Sequence, residues 1–147
     1  MIVFQVQDPH YEARVRNTFA GQAALATLGI TLAGIGPGTV ELRMPYDATL
    51  SQQNGFLHGG VISTGLDTAC GLASYTLMPA NADILTVEFK INLLAPARGQ
   101  TFRFVGNVIK PGRTLVVSEG RAYANDDGRE KLIASISATM MTIVSRS

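Results

Sequence analysis

The stretch GVISTGLDTACGLASYTLM, from Gly60 to Met78, decides the fold. It is the one long apolar segment of the chain without a period of two. Ile62, Leu66, Ala69, Ala73 and Leu77 recur at spacings of 4, 3, 4 and 4, which is one stripe of an α-helix. The positions between them are mostly small: Ser63, Thr64, Gly65, Thr68, Gly71 and Ser74. Each of the two internal glycines weakens a helix by about 1 kcal/mol relative to alanine. A helix that keeps them is expected to be wrapped closely by other backbone. Pro79 is expected to stop it.

Outward from this helix the periodicity changes to two. Downstream, Val87, Phe89, Ile91 and Leu93 alternate with Thr86, Glu88, Lys90 and Asn92. Phe102 and Phe104 open another strand after a Pro96–Gly99 turn. Lys110-Pro111-Gly112-Arg113 predicts a type II turn, with Pro then Gly at its centre. A strand over Leu115–Ala124, a hairpin turn at Asn125-Asp126-Asp127-Gly128 and a strand over Leu132–Val144 complete the chain. Upstream, Val40, Leu42 and Met44 alternate with Thr39, Glu41 and Arg43 after the Gly36-Pro37-Gly38 turn, and Asp47–Gly55 reads as a loop. Asp8-Pro9 reads as a helix start with Asp8 as N-cap. Helix-favouring residues follow from Tyr11 to Leu28, broken at Gly21, so one helix or two would fit. Gly29 is the expected C-cap. The order is helix, two strands, central helix, four strands. It predicts an α+β fold with one antiparallel sheet curled around a buried helix.

The chain has 147 residues, the length of one domain, so residues 1–147 are read as a single domain with 1–29 as an N-terminal helical segment. Its 46% hydrophobic and 16% charged residues exclude a disordered chain. A net charge of +1 gives no electrostatic case for nucleic acid or an anionic membrane surface. No apolar run reaches the roughly 20 residues of a membrane span, and Met1–Asp8 lacks a signal-peptide pattern. Cys70, the one cysteine, cannot form an internal disulfide, so a cytoplasmic location is the expectation. It reads as a small buried hydrophobe. The low charge fraction fits a chain that hides surface in a homo-oligomer.

Few residues are available for chemistry. Two His and one Cys do not make a Cys/His zinc site, and no metal is expected. Neither a G-x-S-x-G elbow nor a phosphate-binding glycine loop is present. The unusual run is Gln52-Gln53-Asn54-Gly55-Phe56-Leu57-His58-Gly59-Gly60, with Asp67 after it. Two glycines before a helix let another group approach its first amides, where the helix dipole adds partial positive charge. That is a preorganised seat for an oxygen carrying negative charge. Asp67 falls about two turns into the helix among small and apolar residues, where a carboxylate needs partners. On these residues alone it either pairs with Ser63 or Thr64, or serves as a nucleophile or general base. His58 fits a structural hydrogen bond better than proton transfer. Met140-Met141 reads as core.

The run Asn54–Val61, with Leu66-Asp67-Thr68-Ala69 after it, resembles the HGG-to-Asp signature of the phenylacetate-pathway (PaaI-like) hotdog-fold thioesterases. Thr86–Pro96 resembles their next strand, and Lys110-Pro111-Gly112-Arg113-Thr114-Leu115 their following hairpin. The resemblance runs from about Gly29 to Val144. It implies a hotdog fold, with the sheet as bun and the long helix as sausage, assembled as dimers or tetramers with active sites at the dimer interface. It implies hydrolysis of an acyl-coenzyme A to a carboxylic acid and free coenzyme A, which is substrate rather than cofactor. Asp67 would attack the carbonyl or activate water, and the Gly59 amide would polarise the thioester oxygen. Gln52 would contact the thioester or the water, and Thr86 would orient water. Asn54, His58 and Gly60 would lie along the substrate, and Lys110 and Arg113 would meet coenzyme A phosphates. The Gln52–Gly59 loop and Asp67 are expected from opposite subunits, and no nucleic-acid or membrane partner is implied. Gln52 and Asp67 together mix two patterns of the family. Alternatives are a hotdog enoyl-CoA hydratase or dehydratase using His58 and Asp67 as acid and base, or a non-catalytic acyl-CoA-binding protein.

Overall fold

A computed structural model describes residues 3–145, so Met1 and Ile2 of the N-terminal stretch, and Arg146 and Ser147, lie outside it. The elements are α1 (Tyr11–Gly21), α2 (Ala23–Leu28), β1 (Thr31–Gly36), β2 (Thr39–Pro45), a short 3-10 turn (Ala48–Leu50), α3 (Gly59–Tyr75), β3 (Ala82–Leu93), β4 (Thr101–Pro111), β5 (Leu115–Asp126) and β6 (Arg129–Val144). The six strands form one antiparallel sheet in the order β1-β2-β4-β5-β6-β3. It curls around α3, the expected α+β architecture.

The helical stripe is the face α3 buries. Ile62, Leu66, Ala69 and Ala73 have no more than 1% of their surface exposed, against the inward row Leu42, Phe102, Phe104, Ala122 and Met140. Burying a side chain such as Leu66 contributes roughly 1.5–3 kcal/mol. The helix ends at Tyr75, short of Pro79. The Thr76 hydroxyl donates to the Ala73 carbonyl at 2.6 Å and accepts the Gly38 amide at 2.8 Å, tying the helix end to the β1–β2 turn. Met140 is core, whereas its neighbour Met141 points to the outer face and is 37% exposed.

The N-terminal helical stretch is two helices divided at Gln22, and Gly29 caps the second in the left-handed region at φ 74°. The first begins later than Asp8-Pro9 suggests, with His10 as N-cap. Asp8 still accepts the His10 amide at 2.9 Å. It also holds Arg14, whose guanidinium stacks on Tyr75 and donates to the Tyr75 and Met78 carbonyls. This clamp fixes α1 to the end of α3. The His10 amide and then Arg14 hold the Asp8 carboxyl below its ordinary value. A depressed folded value adds stability above the unfolded value, and that stability is lost as pH falls through the folded one. Asp8→Asn is therefore expected to lower Tm at pH 7, with the gap to wild type closing below pH 3.8; melts at both pH values check this.

The two hairpins at the sheet ends differ. Asp127 and Gly128 both have positive φ, so the β5–β6 turn is type I′. The β4–β5 turn is not type II, because Gly112 has no positive φ. β4 continues through Pro111, which pairs with Val116. Gly112 answers a close approach instead: a Cβ there would lie 2.2 Å from the Leu115 carbonyl oxygen.

Candidate active site

His58 is the N-cap of α3. Its Nδ1 accepts the Gly60 amide at 2.9 Å, and its carbonyl accepts the Val61 and Ile62 amides. Three of the four first-turn donors are thus taken inside the loop. The Gly59 N–H is the one left without an acceptor among the described residues, and it sits at the positive end of the helix dipole. A Cβ on Gly59 would lie 2.7 Å from Leu93 Cδ1, so the glycine also leaves room for that side chain.

The loop before α3 is built around Gln52. Its side-chain oxygen accepts the Asn54 amide at 2.5 Å and the Phe56 amide at 3.3 Å, and its backbone pairs with Phe56. The Gln52 carboxamide nitrogen donates to no described residue. Gln52 and Gly59 line one cavity of about 410 Å³, otherwise walled by apolar side chains including Phe56, Leu93, Pro96 and Ile133. Asn54, His58 and Gly60 do not line it. Asn54 and His58 are exposed, and the Gly60 amide is held by His58.

Asp67 lines a second hollow, about 240 Å³, with Thr86, Thr68, Gly71, Thr18 and Gln22. Ser63 and Thr64 are not its partners; their hydroxyls donate to the Gly59 and Gly60 carbonyls one turn back. Its partner is Thr86 on β3, whose hydroxyl donates to Asp67 Oδ1 at 2.8 Å. Burial raises the Asp67 carboxyl above its ordinary value, and the Thr86 bond opposes that only in part. A raised carboxylate near a cavity is suited to taking a proton. The walls from α1 and its end, Thr18 and Gln22, are polar. Cys70 is buried one turn away; burial pushes its thiol up to about 12, so it is no nucleophile.

Gly59 and Asp67 are eight residues apart on one helix, about 12 Å along its axis. Within one protomer they cannot both touch one carbonyl group, because reacting atoms must come within about 3–3.5 Å. Lys110 and Arg113 flank the β4–β5 hairpin, exposed, at the Thr86 end of β3, and line neither cavity. Among the described residues, no three His, Cys, Asp or Glu side chains converge as metal ligands, and no helix is long and apolar enough to cross a membrane.

The thioesterase superfamily profile matches residues 54–131, from the Gln52–Gly59 loop to the start of β6. A crystal structure of a thioesterase family protein from Silicibacter pomeroyi is 52% identical, with a TM-score of 0.91 over 92% of this chain and 99% of that one. A protein of Saccharolobus solfataricus that carries an esterase name is 34% identical over 92 residues. That match spans 63% of this chain and 65% of the relative's length. The PaaI protein of E. coli, from the phenylacetic acid degradation operon, shares the fold at a TM-score of 0.81 and 18% identity, over 93% and 96% of the two chains.

Proposed function

The chain belongs to the thioesterase superfamily, and on that premise we propose that it hydrolyses acyl-coenzyme A thioesters in an active site shared by two copies. One observation carries this reading. The free Gly59 amide and the Asp67 carboxylate have the chemistry of one thioester-cleaving site, yet they open into different cavities of one protomer.

A second copy brings the two halves together if the sheets join at β3. This strand is the free edge next to β6, it is 12 residues long, and it exposes Leu85, Val87, Phe89 and Leu93. An unpaired apolar edge of that length is an aggregation site unless another strand covers it. Antiparallel pairing of two β3 strands sets the Asp67 end of one protomer beside the Gly59 end of the other.

In this site the carbonyl oxygen accepts the Gly59 N–H, and the helix dipole stabilises the negative charge that grows there. The Gln52 carboxamide donates to the thioester or to water. Asp67, held in place by Thr86, either takes a proton from the attacking water or attacks the carbonyl carbon itself, in which case water then hydrolyses the resulting mixed anhydride and restores the carboxylate. The C–S bond breaks, and the thiolate leaves with a proton as free coenzyme A. Water is the only other reactant, so no cofactor enters. His58 is committed to capping α3 through Nδ1, which supports thioester cleavage over the His-dependent addition of water to an enoyl group.

Thiol release from a panel of aryl and straight-chain acyl-CoAs tests the proposal. Turnover of at least one class, with no hydration of an enoyl-CoA, is the expected result. Acyl-CoA binding without thiol release would make this a binding protein.

A further inference from the structure

The three helices carry six serine and threonine residues. Four turn their hydroxyls back to the carbonyl one turn earlier: Thr27 to Ala23, Ser63 to Gly59, Thr64 to Gly60 and Ser74 to Cys70. The hydroxyls of the other two, Thr18 and Thr68, bond no described residue. These two come from different helices, yet both line the Asp67 hollow. Gln22 joins them there. Its Nε2 reaches only the Thr18 carbonyl, at 3.5 Å, and its Oε1 accepts from no described donor. Asp67 Oδ1 takes the Thr86 hydroxyl, and its Oδ2 has no described donor.

The helix period places the α1 residues. Val15, Thr18 and Gln22 stand at i, i+3 and i+7, on one face. Val15 is fully buried. The face that α1 turns inward therefore continues, at the hollow, as two polar side chains where packing alone favours apolar ones. A local departure of this kind from the apolar pattern is the mark of a site rather than of a core.

An unsubstituted alkyl or aryl group pressed against these side chains would take them from water and return no hydrogen bond. A carboxylated group would meet Asp67 and Asp83, and no Lys, Arg or His lines the hollow. A hydroxyl both donates and accepts, as do the two threonines and the Gln22 carboxamide. We infer that this hollow receives the acyl group and selects a neutral one that carries a hydroxyl, with Thr18, Thr68 and Gln22 as the residues that recognise it. This rests on the proposed hydrolysis of acyl-CoA. The acyl group hangs on the carbon that Asp67 must reach. Coenzyme A is too long to end in a hollow of about 240 Å³, whereas an acyl group can end there.

The test uses acyl-CoA pairs that differ by one hydroxyl, one pair built on a ring and one on a chain. Wild type is expected to favour the hydroxylated member of at least one pair by about 10-fold or more in kcat/KM. Thr18→Val/Gln22→Leu is expected to erase that preference, slowing the hydroxylated substrate and speeding the unsubstituted one. Thr68→Val, on the other wall, is expected to narrow the same ratio, and Thr18→Ser, which keeps a hydroxyl, to retain it. Wild type that treats the members of both pairs alike, or prefers the unsubstituted ones, overturns the inference whatever the variants do. So does a double variant that keeps the preference, or one that loses equally on both members, which would place the carrier in the hollow. A carboxylate turned over as well as the hydroxyl it replaces overturns it too. If wild type releases thiol from none of these, the hydrolase reading fails and calorimetry with the same pairs decides. Tighter binding of the hydroxylated member, lost in the double variant, supports the inference; equal binding or none overturns it.

Discussion

In the Asp67→Asn variant, thiol release from acyl-CoA is expected to fall about 10³-fold, the usual scale for removing a base or nucleophile. The fold is expected to survive, because Asn keeps the oxygen that accepts the Thr86 hydroxyl at 2.8 Å in wild type. Its thermal stability is expected to match or exceed that of wild type at pH 7. Burial raises the Asp67 carboxyl above its ordinary value of 3.8, so the folded state binds its proton more tightly than the unfolded state does. Stability then falls as pH rises through the interval between the unfolded and folded values. Above that interval the ionised Asp67 is a cost that Asn does not carry. The same shift sets the acid limb of activity: turnover is lost as pH falls through the raised value, since the protonated carboxyl is neither base nor nucleophile. Kinetics and melts of the two proteins across pH check both halves. An equally active variant, or one that loses activity only by unfolding, contradicts the assignment.

The largest loss of stability is expected from Gly106→Ala. Gly106 on β4 pairs with Gly120 on β5, directly under α3. A Cβ on Gly106 would lie 2.4 Å from the Ala69 carbonyl carbon and oxygen and 2.6 Å from the Cys70 nitrogen. These are backbone atoms of a packed helix, so the helix itself would have to lift. On the order of 3 kcal/mol is expected, about 10 °C in Tm for a chain of this size. Gly21→Ala is the control. It meets nothing within 4 Å and keeps negative φ, so its Tm is expected to stay the same or rise slightly.

These two residues also mark what the sequence reveals and what it conceals. The α3 stripe and the period-two strands are strong local signals, and they are enough for one sheet around one helix. The small residues of α3 show that something passes close by. Backbone passes closely only at Ala69 and Cys70, where Gly106 lies, while Gly65 makes room for the Phe104 ring and Gly71 has no neighbour nearer than 4.0 Å; a strand glycine looks no different in sequence from a loop glycine. The unpaired amide at the start of α3 could be read from Gly59-Gly60 because helix termini obey local rules. The Asp67–Thr86 bond joins residues 19 apart through tertiary packing, so the residues alone pointed to Ser63 or Thr64. Pro111-Gly112 carries the local chemistry of a type II turn, and that chemistry cannot show that β4 runs on through Pro111 to pair with Val116.

The central claim is that one active site takes Gly59 from one copy and Asp67 from another, and mixing two disabled variants tests it most directly. Gly59→Pro removes the amide donor at the first helical position, where proline is tolerated. His58 already has an extended backbone, φ −62° and ψ 138°, that suits a following proline, and only the end of the Leu93 side chain must move. Asp67→Asn removes the carboxylate. Each variant alone is expected to be nearly inactive. After subunit exchange, mixed dimers contain one site with both groups intact, so an equal mixture is expected to regain roughly a quarter of wild-type turnover. A mixture that has exchanged subunits, as mass analysis verifies, and still releases no thiol would contradict the shared site.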